Sequence, residues 1–297
     1  MKLNMVIYAN CHGDMIKTMF ENHTFTKDKI NVSSFSNYEN LHKNEIDNNH
    51  KLLLNNCDIF IYQPMNKNYD YSEYNIDSIL KFLNKKCKII RVNYYRTRAF
   101  WYQCNYIPSY GYGGYSFHDT VGLFKDFVNI KNKSNKEDII EFTNNIQLDN
   151  DTVIKFFDCE VEKIKLLDEK SDVKMYDFFK SNYNDHLLFF DCYHPSNIFF
   201  YEIFRQLVKQ LFNYQLHEKD YDFLNDTKIK GMEMTNWTVP ILPLIKQILK
   251  LNYKEVIPCF HTQCHPKTLY MDTYDNYYIR LCPGNFKKYL EENMKQI

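Results

Sequence analysis

The sequence has no surplus of charge: Lys and Arg together number 37, as do Asp and Glu, so the formal net charge is +0 over 297 residues. That balance removes the basic footprint by which a protein grips a nucleic-acid backbone, and nucleic acid is not expected as a partner. A disulfide framework is missing as well. The nine cysteines are an odd number at irregular spacing, and a chain of this length does not need such staples, so a reducing compartment is the expectation. No long apolar run opens the sequence. Polar Asn4, Asn10, His12 and Asp14 interrupt Met1 to Phe20, which fits neither a signal peptide nor a membrane span. The expected location is cytoplasmic, or the host cytoplasm for a viral chain.

There is no C-x-x-C pair either. Cys259, His261, Cys264 and His265, with Cys282 further on, are zinc-type donors, but a proline follows His265 and chance clustering accounts for them, so no metal is expected. Glycine is scarce at 7 residues, against 25 Tyr and 23 Phe. With abundant Asn, Lys and Ile this is the coding bias of A/T-rich genomes, as in low-GC bacteria or large DNA viruses, and it says nothing of function. Internal repeats and flexible linkers are lacking too.

What is present is a 44% hydrophobic chain, long enough to bury roughly three-quarters of the surface its unfolded form exposes. Short apolar runs alternate with helical spacings. Strands are predicted at Met5 to Tyr8, Ile30 to Phe35, Asp58 to Tyr62 and Cys87 to Val92, with a last one at Leu187 to Phe190. Helical patterns cover Gly13 to Glu21, Ile76 to Leu83, Val121 to Asn129, Lys136 to Asn145, Asp151 to Leu167 and Ile198 to Phe212, the last with Ser196 as a candidate N-cap. Asn37 to Asn56 reads as a polar connection. Such alternation predicts an α/β fold, a parallel sheet with helices on both faces. Residues 1–215 form the expected catalytic domain. Residues 216–297, with one helix around "TVPILPLIKQILKL" and an irregular remainder, form an extension packed on it.

In a parallel sheet the carboxyl ends of the strands share one edge, and ligands bind there. Three polar clusters follow strands: Asn10-Cys11-His12, Gln63, and Asp191 to His194. Asp191 can fix the tautomer of His194 and leave its other nitrogen as a general base; the plain alternative is a helix cap and a packed loop residue. Cys11, at a helix N-terminus beside His12, has the setting of a nucleophile, though a cysteine after a first strand is also a common apolar filler. The N–H groups of Cys11 to Gly13 and the amides of Asn10 and Gln63 can donate to a developing oxyanion. Gln63 reads equally well as a satisfied strand-end group.

"YANCHGDM" resembles the Asn-Cys-Gln-Gly signature of the WcbI family of polysaccharide-biosynthesis acyltransferases, a branch similar in fold to the SGNH hydrolases. "DIFIYQP" resembles that family's strand ending in Gln-Pro, "PSYGYGGYSFHD" its aromatic, glycine-containing segment, and "DCYHPS" its Asp-x-x-His-Pro block. The four blocks fall in order between about residues 3 and 212. The resemblance implies a three-layer, flavodoxin-like or SGNH-like sheet domain, coenzyme A binding and acetylation of a sugar.

Two positions depart from the pattern. His12 stands where the family usually has glutamine, and no hydrolase-type serine occupies the first block. The second departure argues against plain esterase chemistry. It favours either a Cys11 acyl-enzyme or direct attack of the acceptor on the thioester of acetyl-coenzyme A.

For the coenzyme, His12 and Gly13 are expected on the first turn. Arg91, Arg96 and Arg98, three of the chain's five arginines, are expected at its phosphates, a role that competes with a solvated charged loop. His118 is expected from the aromatic loop. The expected activity is acetyl transfer to a hydroxyl or amino group of a free, nucleotide-linked or lipid-linked sugar. A carbohydrate esterase and a non-catalytic coenzyme- or glycan-binding module are the alternatives.

Overall fold

A computed structural model describes residues 2–38, 40, 43–64, 72–101, 149–190, 192–217, 241 and 243–253. The helices expected at 121–129 and 136–145, the aromatic loop with His118, Asp191 and the Cys/His-rich tail lie outside the described residues.

The described elements run β1 (Leu3–Ala9), α1 (Cys11–Asn22), β2 (Ile30–Ser36), α2 (Asn48–Asn55), β3 (Ile59–Tyr62), α3 (Ile76–Ile79, continued by a 3-10 turn Leu80–Phe82), β4 (Lys88–Arg91), α4 (Asn150–Glu169), α5 (Tyr176–Asn182), α6 (Asn197–Phe212) and α7 (Pro243–Leu249). The four strands make one all-parallel sheet in the order β2-β1-β3-β4. The described part of the chain divides into two compact units. The first comprises 1–95, 163–180 and 195–233, and the second comprises 96–162, 181–194 and 234–297.

The first unit holds the sheet. β1 is central, and Met5 to Ala9 are buried in succession, as expected of a strand covered on both sides. Val6, Tyr8, Phe35 and Phe60 turn to a core completed by Leu54 of α2 and Ile79 of α3. Ile7, Ala9 and Ile61 turn the other way, toward Ile16 of α1 and Phe200 and Ile203 of α6. α1 buries Met15, Ile16, Met19 and Phe20, the one-sided stripe of a 3.6-residue period. Phe20 meets Phe204 of α6 edge to face at 4.9 Å.

α1 approaches β1 closely because Gly13 has no side chain. A Cβ there would stand 2.9 Å from Ala9 Cβ and 3.2 Å from Ile7 Cγ2. Beyond β4, buried Asp168 accepts from the N–H groups of Met175 (2.8 Å) and Tyr176 (2.7 Å) and from Tyr95 Oη (2.9 Å), which ties the α4–α5 connection to the end of β4.

In the second unit, Glu160 of α4 is almost wholly buried. It accepts from the backbone N–H of Arg98 at 3.0 Å and from its guanidinium at 3.2 Å. Phe157 packs against Phe100 and Tyr183.

The structure corrects two expectations about elements. Leu187 to Phe190 do not make a strand: Phe189 forms only an isolated bridge, and Phe190 N–H donates to His194 C=O at 2.8 Å. Leu188, Phe189 and Phe190 are buried, and a short buried run looks the same in sequence whichever backbone it adopts. The segment 37–56 is not all connection, because Asp47 caps Asn49 N–H and starts α2. Only one residue of that helix, Leu54, is buried, so its apolar periodicity is too thin to read.

Candidate functional site

β1 is flanked by β2 on one side and β3 on the other, so successive connections leave it in opposite directions. The order therefore reverses between β1 and β3, where open parallel sheets bind ligands beyond the carboxyl ends of their strands. Every strand here ends in an amide side chain: Asn10 after β1, Asn37 after β2, Gln63 after β3 and Asn93 two positions after β4.

Three of the four are wired together. Gln63 N–H extends the ladder by donating to Tyr8 C=O at 2.9 Å. Its Oε1 accepts from Asn10 N–H at 3.0 Å and from Asn37 Nδ2 at 3.3 Å. A backbone N–H can only donate, so the atom facing it must be the amide oxygen. The Gln63 NH2 group is thereby turned away from both. Asn10 obeys the same logic: its Oδ1 accepts from His12 N–H at 3.0 Å, the N-cap bond of α1, which leaves Nδ2 uncommitted by that bond. Among the described residues neither NH2 group has a hydrogen-bond partner. Two amide donors thus stand with fixed polarity at the switch point, next to a small recess lined by Ala9, His12, Tyr62, Gln63, Asn93 and Phe200. Its enclosed volume is about 10 Å³, roughly one water.

The other expected residues separate. The His12 and Gly13 N–H groups are not spare donors, since the first meets Asn10 Oδ1 and the second Asn10 C=O at 2.8 Å; of the three expected N–H groups, only that of Cys11 is left at this turn. The His12 ring is buried and lies 4.7 Å from Tyr94 and 5.1 Å from Phe200. It is packed among these rings, 5% exposed, and is one of the residues that line the recess. Gly13 serves the close approach of α1 to β1. Cys11 is a free, half-exposed thiol on the first turn of α1.

Arg91 Nε donates weakly to Asn93 Oδ1 at 3.4 Å. Arg96 is exposed and lies in the second unit. Arg98 is already engaged by Glu160 and is stacked 5.1 Å over Phe156. His194 is half-buried in the second unit.

Asn37 was not among the expected residues, although it is 5% exposed and bonded to the central amide. Its place in the fold, first after a strand, is the one Asn10 and Gln63 occupy, but the mixed sequence of β2 marks that end only faintly. Asn93, two positions after β4, has its groups spent on structure: Nδ2 donates to Leu167 C=O and N–H to Ser171 Oγ. Among the described residues no three His, Cys, Asp or Glu side chains gather as a metal site, and no helix is long and apolar enough to cross a membrane.

A parallel sheet with polar amides along its carboxyl edge defines an α/β protein of the open-sheet class. The chain belongs to the WcbI family: the profile described as polysaccharide biosynthesis enzyme WcbI matches residues 4–212. It is also similar to a solved structure, with a TM-score of 0.72 and 15% sequence identity over 98% of this chain and 91% of the other. That structure is described as WcbI, a novel polysaccharide biosynthesis enzyme, the native protein without a disulfide bond between coenzyme A and one of its cysteines. Likeness at this identity establishes shared fold. No curated protein matches the sequence.

Proposed function

We propose that the chain is an acyl-coenzyme A-dependent acyltransferase that acetylates a hydroxyl or amino group of a sugar during polysaccharide biosynthesis. The observation that carries this reading is the pair of NH2 groups on Asn10 and Gln63 at the β1/β3 switch point that make no hydrogen bond among the described residues, with the half-exposed Cys11 next in the chain to Asn10. Acyl transfer from a thioester puts negative charge on the carbonyl oxygen, and donors already aimed there stabilise that charge without reorganising. Membership of a family of polysaccharide biosynthesis enzymes supports a sugar acceptor. The solved relative, whose description names coenzyme A, supports binding of that coenzyme.

Acetyl-coenzyme A supplies an activated acyl group, so the chain has to orient two substrates, hold the oxygen and remove one proton. Asn10 and Gln63 hold the oxygen. Asn37 positions Gln63. His194, oriented by Asp191, takes the proton from the acceptor, an assignment that stands on the D-x-x-H-P motif alone. Cys11 lies beside the reacting carbonyl and is not required for direct attack. Arg91 and Arg96 remain the cations for the coenzyme's phosphates, whereas Arg98 is committed to Glu160. The reading includes a three-layer α/β domain over 1–215 with an extension over 216–297, and a cytoplasmic location.

The test is release of free thiol from acetyl-coenzyme A in the presence of a panel of sugars and nucleotide sugars, beside thermal unfolding with coenzyme A or adenosine. Stabilisation by coenzyme A but not by adenosine, with acceptor-dependent thiol release, is expected. Ester hydrolysis that needs no coenzyme would replace this reading with an esterase.

A further inference from the structure

We propose that Cys57 and Cys87 form a thiol–disulfide exchange site that takes small-molecule disulfides and closes into an intramolecular disulfide. Cys57 immediately precedes Asp58 and β3, and Cys87 immediately precedes β4. The two strands are parallel neighbours, and Lys88 N–H donates to Asp58 C=O at 2.8 Å where they begin. The sulfurs, 30 positions apart in sequence, stand 3.3 Å from each other. Each backbone is fixed independently, Cys57 N–H on Leu54 C=O and Cys87 N–H on Asn84 C=O. Closing the sulfurs to a bond of about 2.05 Å therefore asks for side-chain rotation and not for movement of the strands.

The pair is asymmetric, which sets the order of events. Cys57 is fully buried, and its Sγ also lies 3.2 Å from Leu54 C=O, whereas Cys87 is half-exposed. Only Cys87 can be reached from solvent. The contact between the two sulfurs holds the Cys87 thiol below its ordinary pKa, while the same contact followed by burial pushes Cys57 up. An accessible thiol that ionises more readily than usual and a buried thiol within reach behind it are the two parts that exchange chemistry requires.

Cys87 thiolate attacks one sulfur of a small-molecule disulfide, forming a mixed disulfide and releasing one small thiolate. That thiolate takes the Cys57 proton. Cys57 then attacks Cys87 Sγ, the second small thiolate leaves, and the two protein thiols have been oxidised while the small disulfide has been reduced to two thiols. The site lies at the amino ends of β3 and β4. The acyl-transfer residues lie at the carboxyl ends of the strands, so the inference stands or falls apart from that reading.

The full-length protein is incubated with oxidised glutathione, alkylated and digested. The expected result is a linked peptide pair joining Cys57 and Cys87, with equal loss of both free thiols, reversed by a dithiol reductant. Exposed Cys159 should carry a glutathione adduct that does not resolve. Cys57→Ser should trap the adduct on Cys87, and Cys87→Ser should leave Cys57 unmodified. The proposal is overturned if both cysteines of the unmutated protein alkylate as free thiols under conditions that modify Cys159, or if Cys87 keeps its adduct in the presence of Cys57. Both readouts use the unmutated chain and do not depend on how the variants fold.

Discussion

Asn10 and Gln63, 53 positions apart in the sequence, are joined by a single hydrogen bond in which Asn10 N–H donates to Gln63 Oε1 at 3.0 Å. The bond does two things at once. It ties the end of β1 to the end of β3, and it decides which end of the glutamine amide is left to donate. Gln63→Glu separates these roles, because a carboxylate still accepts from Asn10 N–H and Asn37 Nδ2 but has no hydrogen to offer an oxyanion. The expected outcome is a loss of about 10² to 10³ in kcat for thiol release from acetyl-coenzyme A, the usual cost of one such donor, with little change in thermal midpoint. Gln63→Ala is expected to lose activity and also about 1–3 kcal/mol of stability, since it strands two buried donors. Full activity in the glutamate variant would remove Gln63 from the chemistry.

Asn37 touches no substrate in this reading and acts through Gln63. Asn37→Ala removes one of two donors to Oε1 and leaves the other, so a modest fall in kcat at unchanged KM is expected. Asn37→Asp is expected to be worse than alanine. A carboxylate 3.3 Å from Oε1 repels it and draws the NH2 group inward, which turns the amide oxygen toward the reacting carbonyl. Comparing kcat for the two variants checks this; a purely structural asparagine would make alanine the more damaging change.

These relationships were partly visible in the sequence. β1 and β3 follow from apolar runs that meet a polar residue, and Asn10, Cys11 and Gln63 sit where such runs end. Ser196 does stand at the N-cap position of α6, but its hydroxyl makes no capping hydrogen bond, and the cap that Asn10 gives α1 was not read from the sequence. Asn37 was passed over because β2 is an edge strand of mixed burial, with Asn31 exposed and Ser33 and Ser34 half-buried. Its end is therefore poorly marked. Leu187 to Phe190 misled for the opposite reason, four apolar residues of which three are buried without being a strand. Long-range pairing of Arg98 with Glu160, 62 positions away, has no local signature at all.

His50 links stability to pH. Burial holds its pKa below the usual 6.5, and Lys43 adds to that while Asp47 opposes it. Its Nδ1 meets Tyr74 Oη at 3.0 Å and its ring stacks on Phe35 at 4.2 Å. A group whose folded pKa is depressed in this way must stay neutral to keep its place. The unfolded chain takes up a proton first as pH falls through 6.5, and the folded state loses stability until its own lower pKa is reached. Urea unfolding between pH 7.5 and pH 5 is expected to show this decline, and His50→Gln is expected to flatten it whatever its effect at pH 7.5. An unchanged slope would mean that the decline belongs to other groups.

Gly13 offers a purely steric test. The Cβ of Gly13→Ala would lie 2.9 Å from Ala9 Cβ, which belongs to the central strand and cannot swing aside. α1 must lift from β1, at a cost of about 1–3 kcal/mol typical of overpacking, read as a lower urea midpoint at unchanged m-value. The double variant Gly13→Ala with Ala9→Gly removes the opposing atom and is expected to recover part of the loss. A destabilisation identical to the sum of the two single changes would show that the contact with Ala9 is not the cause.

Arg98 is where a coenzyme role and a structural role make opposite forecasts. Its guanidinium meets Glu160 at 3.2 Å, and the carboxylate is only 1% exposed. Arg98→Ala would take the guanidinium away from that buried charge while the backbone N–H of residue 98 still donates to it, and about 3–5 kcal/mol of stability is expected to go. Adding Glu160→Gln removes the charge and is expected to restore much of the loss, a coupling that a phosphate ligand at the surface would not show. Coenzyme A affinity, measured by calorimetry on the folded double variant, is expected to match the unmutated protein. If affinity falls there while stability is recovered, the guanidinium reads phosphate after all, and its ion pair with Glu160 serves to hold it in position for that contact.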